Sequence, residues 1–155
     1  MATIDPSAIR QRIAAAISTA LLASGYKESR WAPPLFPDGP AAQDTRHLAH
    51  KGYSVYLSTT DEARDGRQAR GGVGEYVRTN VHVAFGWRLR ADAAVADYDA
   101  ALGAEKAMIA AVLSVTPNPS LRVRWQRVAG RAVTGDGELF VGRLDFSVYH
   151  HMATA

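Results

Sequence analysis

The most regular hydrophobic pattern in the chain lies between residues 77 and 90, where apolar and polar positions alternate. One side of this alternation carries Val77, Thr79, Val81, Val83, Phe85, Trp87 and Leu89, and the other carries Arg78, Asn80, His82, Ala84, Gly86, Arg88 and Arg90. Alternation with a period of two is typical of a β-strand with one buried face. A strand over residues 75–90 is unusually long. We therefore expect it either to bend at Gly86 or to extend beyond its own domain.

Three shorter alternations predict further strands. Tyr53, Val55 and Leu57 alternate with polar residues over 52–59, and the same pattern recurs at 121–126 and at 140–148. Gly135-Asp136-Gly137 has the composition of a hairpin turn between the last two.

Helical spacing appears twice. Residues 5–24 have Asp5 as a candidate cap, Pro6 at the first helical position and Gly25 as a stop. The apolar stripe of this helix consists of Ile9, Ile13, Ile17, Ala20 and Leu21. A second, alanine-rich helix is predicted over 92–114. Its predicted apolar side consists of Val95, Tyr98, Leu102, Ile109, Val112 and Leu113.

The segment 26–50 is rich in proline, and we expect it to be irregular. Trp31, Leu35 and Phe36 either anchor it on the core or form an apolar lip that a partner covers. The order of elements predicts a single α+β domain over 1–155. We expect an antiparallel sheet of about four strands, two helices packed on one face and a long β-hairpin arm.

Composition narrows the function classes. The chain has no cysteine, which excludes disulfides, thiolate metal sites and cysteine nucleophiles. We find no signal peptide and no run of apolar residues long enough for a membrane helix, so we expect an intracellular site of synthesis. Of the 18 basic residues all but Lys27, Lys51 and Lys106 are arginines. This bias reflects either a GC-rich genome or a use of arginine at interfaces and phosphates.

Residues 61–75 form the predicted tip of the long hairpin. Gly71-Gly72-Val73-Gly74 lacks the lysine and the following helix of a phosphate-binding loop. Four acids and three arginines give the segment a charge of 3 − 4 = −1, which does not suit a polybasic nucleic-acid arm. It is either a mobile, solvated loop or an arm that reaches a neighbouring protein. The candidate subunit or tail-tube interface residues are Arg64, Arg67, Arg70, Tyr76 and Arg78.

The sequence offers little catalytic or metal chemistry. His47 with His50 and His150 with His151 are better interpreted as surface histidines than as ligands, and so is His82. Asp97 and Asp99 lie two apart on a helix and point to different faces. We expect no metal, no cofactor and no enzymatic activity.

A basic face is the alternative that the arginines support. Arg88, Arg90, Arg122 and Arg124 are candidates either for an arginine-rich nucleic-acid-binding face or for the lining of a lumen. Trp87 and Trp125 lie on the opposite side of the alternation. The arginine face therefore lacks the aromatic rings on which the bases of single-stranded nucleic acid stack.

The pattern as a whole resembles the tail terminator (tail completion) proteins of long-tailed bacteriophages and gene transfer agents. The similarity lies in the capped helix Asp5–Ser24, in HKGYSVYL (50–57), YVRTNVHVAF (76–85) and DYDAALGAEK (97–106), and in LDFSVYH (144–150).

The resemblance implies a virion structural protein with an α+β fold, located in the tail and assembled in the host cytoplasm. It implies a homo-oligomeric ring, a hexamer, at the head-proximal end of the tail tube, which ends tube polymerisation and joins the head connector. Its partners would be itself, the tube protein and a connector or neck protein, with DNA only passing through the lumen and no membrane. A neck or head–tail joining protein is the nearest alternative.

Overall fold

The computed structural model describes residues 3–28, 52–63, 75–115, 121–133 and 137–152. Within these ranges the chain forms an α+β fold with one sheet and two α-helices. The elements in chain order are α1 (Pro6–Ala20), β1 (Lys27–Glu28), β2 (Gly52–Glu62), β3 (Glu75–Arg88), α2 (Ala94–Leu113), β4 (Leu121–Val133) and β5 (Leu139–Met152).

The five strands lie in the order β1-β2-β3-β5-β4. The predicted fold class is confirmed, but the sheet is mixed, because β1 runs parallel to β2 while the other neighbours are antiparallel. β1 is the strand that the sequence did not reveal. Two residues are too few to produce an alternation, and they lie in a segment expected to be irregular.

β3 occupies the centre of the sheet, and this corrects the expectation that it extends beyond the domain. All 14 of its residues are in register with β5, from Glu75 opposite Met152 to Arg88 opposite Leu139. Gly86 continues this ladder opposite Val141. The length of β3 is therefore accommodated by a partner strand of equal length. The hairpin with β2 is confirmed, while its tip, 64–74, lies outside the described residues.

The first helix packs its predicted stripe onto the sheet except for Ala20, which is exposed. Ile9, Ile13 and Ile17 are fully buried, and the hydroxyl of Tyr53 on β2 donates a 3.0 Å hydrogen bond to the Ala14 carbonyl. A 3-10 turn, Leu22–Ser24, follows the helix and leads to Gly25, whose φ of 76° suits glycine. Asp5 occupies the capping position, but its side chain makes no capping hydrogen bond.

The side of the second helix that faces the sheet matches the predicted one only in part, since Val112 is buried and Leu102 and Ile109 pack against the core as expected. Its buried residues are Asp97, Ala101, Ala104, Glu105, Met108, Ala111 and Val112. Val95 is 77% exposed and Tyr98 and Leu113 are each 36% exposed. The alanines permit a close approach to the sheet, which places the larger apolar side chains at the margin of the contact.

Both helices cover the same face of the sheet. Tyr98 on α2 packs edge-on against Phe140 of β5, and Glu105 on α2 accepts two hydrogen bonds from Arg131 of β4. The core between sheet and helices includes Phe85, Phe140 and Phe146. The opposite face of the sheet carries no described helix.

The β4–β5 hairpin is confirmed by its antiparallel ladder, which reaches Val133 opposite Phe140. Gly137 has a φ of 74°, as expected in a turn. The rest of that turn, the proline-rich segment with Trp31, Leu35 and Phe36, and His47 and His50 lie outside the described residues.

Candidate functional site

The helix-free face of the sheet, called the polar face below, concentrates the polar side chains of four strands. Cross-strand register places on it Ser54, Tyr56 and Asp61 of β2, Tyr76, Arg78, Asn80, His82 and Arg88 of β3, Arg143, Asp145, Ser147, Tyr149 and His151 of β5, and Arg122, Arg124 and Arg127 of β4. Ser58 of β2 and Gln126 of β4 join it at ladder irregularities, through hydrogen bonds to His82 and Ser147. Six arginines against two aspartates give these residues a charge of 6 − 2 = +4. The polar face is therefore the candidate surface for an anionic or acidic partner.

At its centre, Ser58, His82 and Asp145 form a hydrogen-bonded series across three strands. His82 Nδ1 donates to Asp145 Oδ1 at 2.6 Å, and its Nε2 lies 2.7 Å from the Ser58 hydroxyl. Because an ionised Asp145 only accepts, the hydrogen on His82 Nδ1 points to it, and an Nε2 without a hydrogen accepts from the Ser58 hydroxyl. The order of these contacts is that of a serine hydrolase triad.

Asp145 is also bound by arginines on both sides. Its Oδ2 accepts from Arg127 Nε at 3.0 Å, and Arg143 Nε lies 3.3 Å from Oδ1. Burial raises the pKa of the Asp145 carboxyl, but the hydrogen bonds from His82 and Arg127, together with the Arg143 charge, outweigh burial and hold the pKa below its usual value. Asp145 is thus a buried carboxylate that ties β3, β4 and β5 together through their side chains.

Ser58 lies at an irregularity in the β2–β3 ladder. The register shifts between Leu57 and Thr60, so that Ser58 and Thr59 occupy the place of a β-bulge. Asn80 on β3 donates from Nδ2 to the Thr59 hydroxyl at 2.6 Å. The bulge turns the end of β2 so that Thr60 joins the helix-covered face, where its hydroxyl meets that of Thr79 at 2.9 Å.

One end of the polar face is aromatic. The rings of Tyr76 and Tyr149 stack with centroids 6.4 Å apart, and Tyr76 also contacts His151 at 5.0 Å. The Arg124 guanidinium lies 5.7 Å from the centre of the Tyr149 ring, a distance at which a cation–π attraction operates. These aromatics are occupied with one another and with arginine.

Of the residues predicted from the sequence, the structure brings Tyr76, Arg78, Arg88, Arg122 and Arg124 together on the polar face. Arg78 reaches across to Asp61 at 3.4 Å.

Arg90 is separated from this group. It follows β3, and its guanidinium makes two hydrogen bonds of 3.0 Å to Asp97 at the start of α2. Its backbone amide donates to the same carboxylate at 2.8 Å. Arg64, Arg67 and Arg70 lie outside the described residues.

The histidines of the described strands are buried, contrary to the expectation of surface histidines. His82, His150 and His151 are 8%, 1% and 4% exposed. His82 sits on the polar face as predicted, but the sequence did not pair it with Ser58 and Asp145, which are 24 and 63 residues away. Register alone brings them together: Asp145 is opposite His82, and Ser58 lies two residues beyond Tyr56, which is opposite His82 on β2.

His150 links the N-terminal segment to the sheet from inside the core. Its Nδ1 donates to the Ile4 carbonyl at 3.0 Å, and the Thr79 hydroxyl lies 2.8 Å from Nε2. The Ile4 amide in turn donates to the His151 carbonyl at 2.8 Å. Burial lowers the pKa of His150, so the ring is neutral and Nε2 accepts from Thr79.

The burial of His150 makes stability depend on pH. Because its pKa is lower in the folded chain, the unfolded chain binds more protons as the pH falls. The contribution of His150 is therefore complete above its unfolded pKa of about 6.5 and is lost as the pH falls from there through the folded pKa. Urea unfolding between about pH 8 and pH 5 is expected to show this loss. A His150→Asn variant, which cannot titrate there, should show a smaller pH dependence. An unchanged pH dependence in the variant would contradict the assignment.

Among the described residues, no group of three or more His, Asp or Glu side chains is placed to hold a metal ion. None of the helices in those ranges is both long enough and apolar enough to cross a membrane. Comparison of the chain with models of known protein families gave no match, and neither did comparison with curated protein sequences.

Proposed function

We propose that the protein is a virion structural protein of the tail-terminator type, without catalytic activity. Copies of the chain form a ring, a hexamer, at the head-proximal end of a tail tube. The ring ends tube polymerisation and presents the surface that meets the head connector or neck protein. In this proposal the protein acts through contacts with itself, the tube protein and the connector, while DNA passes through the lumen.

The polar face is the observation that carries the proposal. Both helices lie on the other side of the sheet, so a ring with its helices outward would turn the polar face, with its charge of 6 − 2 = +4, towards the lumen. Arg88, Arg122 and Arg124 are exposed there. A basic lining suits DNA in transit, because contacts between arginines and phosphates carry no sequence information.

The arrangement of the aromatics favours this function over a nucleic-acid-binding module. Binding of single strands relies on aromatic rings that are free to stack on bases. On the polar face Tyr76 and Tyr149 stack on each other, and Tyr56 is buried against His82 at 5.1 Å. Trp125 lies in register with Phe146 on the helix-covered face.

Removing the gene from a strain that produces the particle tests the proposal. We expect DNA-filled heads without tails, together with free tubes of uncontrolled length in electron micrographs, because nothing then stops polymerisation. A neck or joining protein would instead leave tubes of normal length that fail to attach. Intact particles would contradict both roles. Expression of the intact gene in trans is the control and is expected to restore normal particles.

The hydrogen bond between Ser58 and His82 suggests a serine hydrolase as an alternative function. A reagent that reacts with nucleophilic serines distinguishes a hydrolase from a structural protein. The serine nucleophile of α/β-hydrolases sits on a sharp, strained turn between a strand and a helix, whereas Ser58 lies within β2. We expect a fluorophosphonate to leave the folded protein unlabelled, as judged by intact mass. Labelling that disappears in a Ser58→Ala variant, but not in a Ser54→Ala control, would make this series a catalytic site.

A further inference from the structure

Three arginines surround Tyr149 of β5 on the polar face. In cross-strand register, Tyr149 lies between Arg78 of β3 and Arg122 of β4. Arg124 is the next residue of β4 on the same face, and its guanidinium lies 5.7 Å from the centre of the Tyr149 ring. Because opposite residues of neighbouring strands are about 5 Å apart and diagonal ones about 7–8 Å, all three arginines start close to Tyr149. Arg78, Arg122, Arg124 and Tyr149 are called the arginine cluster below.

Arg122 and Arg124 carry charges that no carboxylate neutralises. Both are exposed, and neither forms an ion pair in the part of the chain that the structure describes. The later arginines of β4 differ, because they bind Asp145 and Glu105. Residues two apart on a strand are about 7 Å apart. The charges of Arg122 and Arg124 therefore repel each other, and an anion between them would offset this repulsion.

Arg78 is only partly satisfied by its carboxylate partner. Its contact with Asp61 is long, at 3.4 Å, and the Arg78 Nε–H is buried without a hydrogen-bond partner. Buried donors without a partner are rare and costly in folded proteins. Turning the guanidinium towards an anion beside Tyr149 would pair Nε and a terminal nitrogen together, in the bidentate manner typical of arginine.

The charge and the donors of the arginine cluster suit a phosphate group. With Asp61 included, the charge is 3 − 1 = +2, which matches that of a phosphate monoester near neutral pH. Tyr149 is half-buried, and its hydroxyl has no hydrogen-bond partner among the described residues, so it can donate one. Donors on several sides fit the oxygens of a phosphate better than the two oxygens of a carboxylate.

We infer that the arginine cluster binds a phosphate group. Arg122 and Arg124 hold its oxygens from the side of β4, Arg78 does so from the side of β3, and the Tyr149 hydroxyl donates between them. A free phosphate or monoester and the backbone of a nucleic acid present the same oxygens. The inference does not require a ring. In the proposed ring, the cluster would hold backbone phosphates of DNA in the lumen.

Titration of the full chain with inorganic phosphate, at a constant ionic strength of about 0.1 M, tests the inference. The site-specific readout is the Arg78 Nε–H signal in proton–nitrogen NMR spectra, which should shift until the site is saturated. Arg122→Gln and Arg124→Gln are each expected to weaken binding about tenfold, the usual value of a hydrogen bond to a charged group.

Arg88→Gln is the matched control. Arg88 is also exposed on the polar face, so the variant removes the same charge. It lies about 33 Å from Arg78 along β3, well beyond the range of about 10 Å over which charges act at this ionic strength. Its phosphate affinity should equal that of the wild type.

A short DNA duplex of random sequence, titrated under the same conditions, distinguishes the two sources of phosphate. Binding of inorganic phosphate that the two β4 variants weaken and Arg88→Gln does not would indicate a free phosphate or monoester. The same pattern with the duplex alone would indicate backbone phosphates. No binding of either probe, or equal weakening by all three variants, would overturn the inference.

The outcome is separable from that of the proposed function. A phosphate site in a protein whose gene is dispensable for tails would retain the inference and refute the tail function. Uncontrolled tubes from the deletion strain, with no binding of either probe to the protein, would do the reverse.

Discussion

Replacing Asp145 by asparagine is expected to lower the free energy of unfolding by about 3–5 kcal/mol, the usual cost of breaking a buried ion pair by removing one partner. Asp145 is 2% exposed, and its carboxylate is shared by His82, Arg127 and Arg143. Arg127 is 67% exposed and adds little, because water screens it. The cost arises chiefly from the half-buried Arg143 guanidinium and the buried His82 Nδ1–H, which would both lose the carboxylate beside them.

Urea unfolding of the variant measures this loss. Asp99→Asn removes the same charge from an exposed position on α2 and should change stability by less than about 0.5 kcal/mol. A loss below about 1 kcal/mol for Asp145→Asn would be no larger than the net value of an ordinary hydrogen bond and would contradict the role of the carboxylate.

The same site has a pH window of its own. The pKa of Asp145 is lowered in the folded chain, so its contribution to stability is complete above its unfolded pKa of about 3.9 and is lost as the pH falls through the folded value. This window lies below that of His150. Measuring the pH dependence of stability for the wild type, His150→Asn and Asp145→Asn therefore separates the contribution of His150 from that of Asp145.

Replacing Gly142 by alanine is expected to destabilise the protein by about 1–3 kcal/mol through overpacking. A Cβ at this position would lie 2.6 Å from Cζ of Phe85 and 2.7 Å from Cε1. Phe85 is fully buried and packs against Phe140, with ring centroids 5.9 Å apart. The Phe85 ring therefore cannot withdraw without disturbing the core between β3 and β5.

A double variant identifies the cause. Phe85→Leu removes the ring atoms that the new methyl group would meet, so Phe85→Leu with Gly142→Ala should be less destabilised than the sum of the single variants. Gly103→Ala on α2 is the control, because its Cβ would meet no atom within 4 Å, and it should stabilise by about 0.5–1 kcal/mol. Strictly additive effects would refute the steric explanation.

Local patterns in the sequence predicted much of the fold. Pro6 and Gly25 bracket α1 and its 3-10 turn, and the alternation around Val81 and Val83 marks β3 correctly. The side of α2 that packs was predicted only in part, because Val112, Leu102 and Ile109 meet the core as expected while Val95, Tyr98 and Leu113 are exposed. The helix instead buries alanines with Asp97 and Glu105, whose ion pairs to Arg90 and Arg131 depend on tertiary structure.

The candidate site was only partly predictable. Alternation placed Arg78 and Arg88 on one side of β3 and Arg122 and Arg124 on one side of β4, but strand order and register were needed to show that these sides, with Tyr76, form one face. The central series required two further facts, namely that β3 lies next to β5 and that His82 is level with Asp145. Neither follows from local pattern, because a shift of one residue in register would have separated their side chains.

The position of β3 at the centre of the sheet also has a consequence for synthesis. The β2–β3 hairpin can form early, but the far side of β3 finds its partner only when Leu139–Met152 has left the ribosome. Until then, Val81, Val83 and Phe85 lie in a strand with one unpaired side. Contacts between such distant segments form slowly, and an unpaired apolar strand invites aggregation. Nascent chains halted before residue 139 should therefore bind chaperones, and release should come with the last strand.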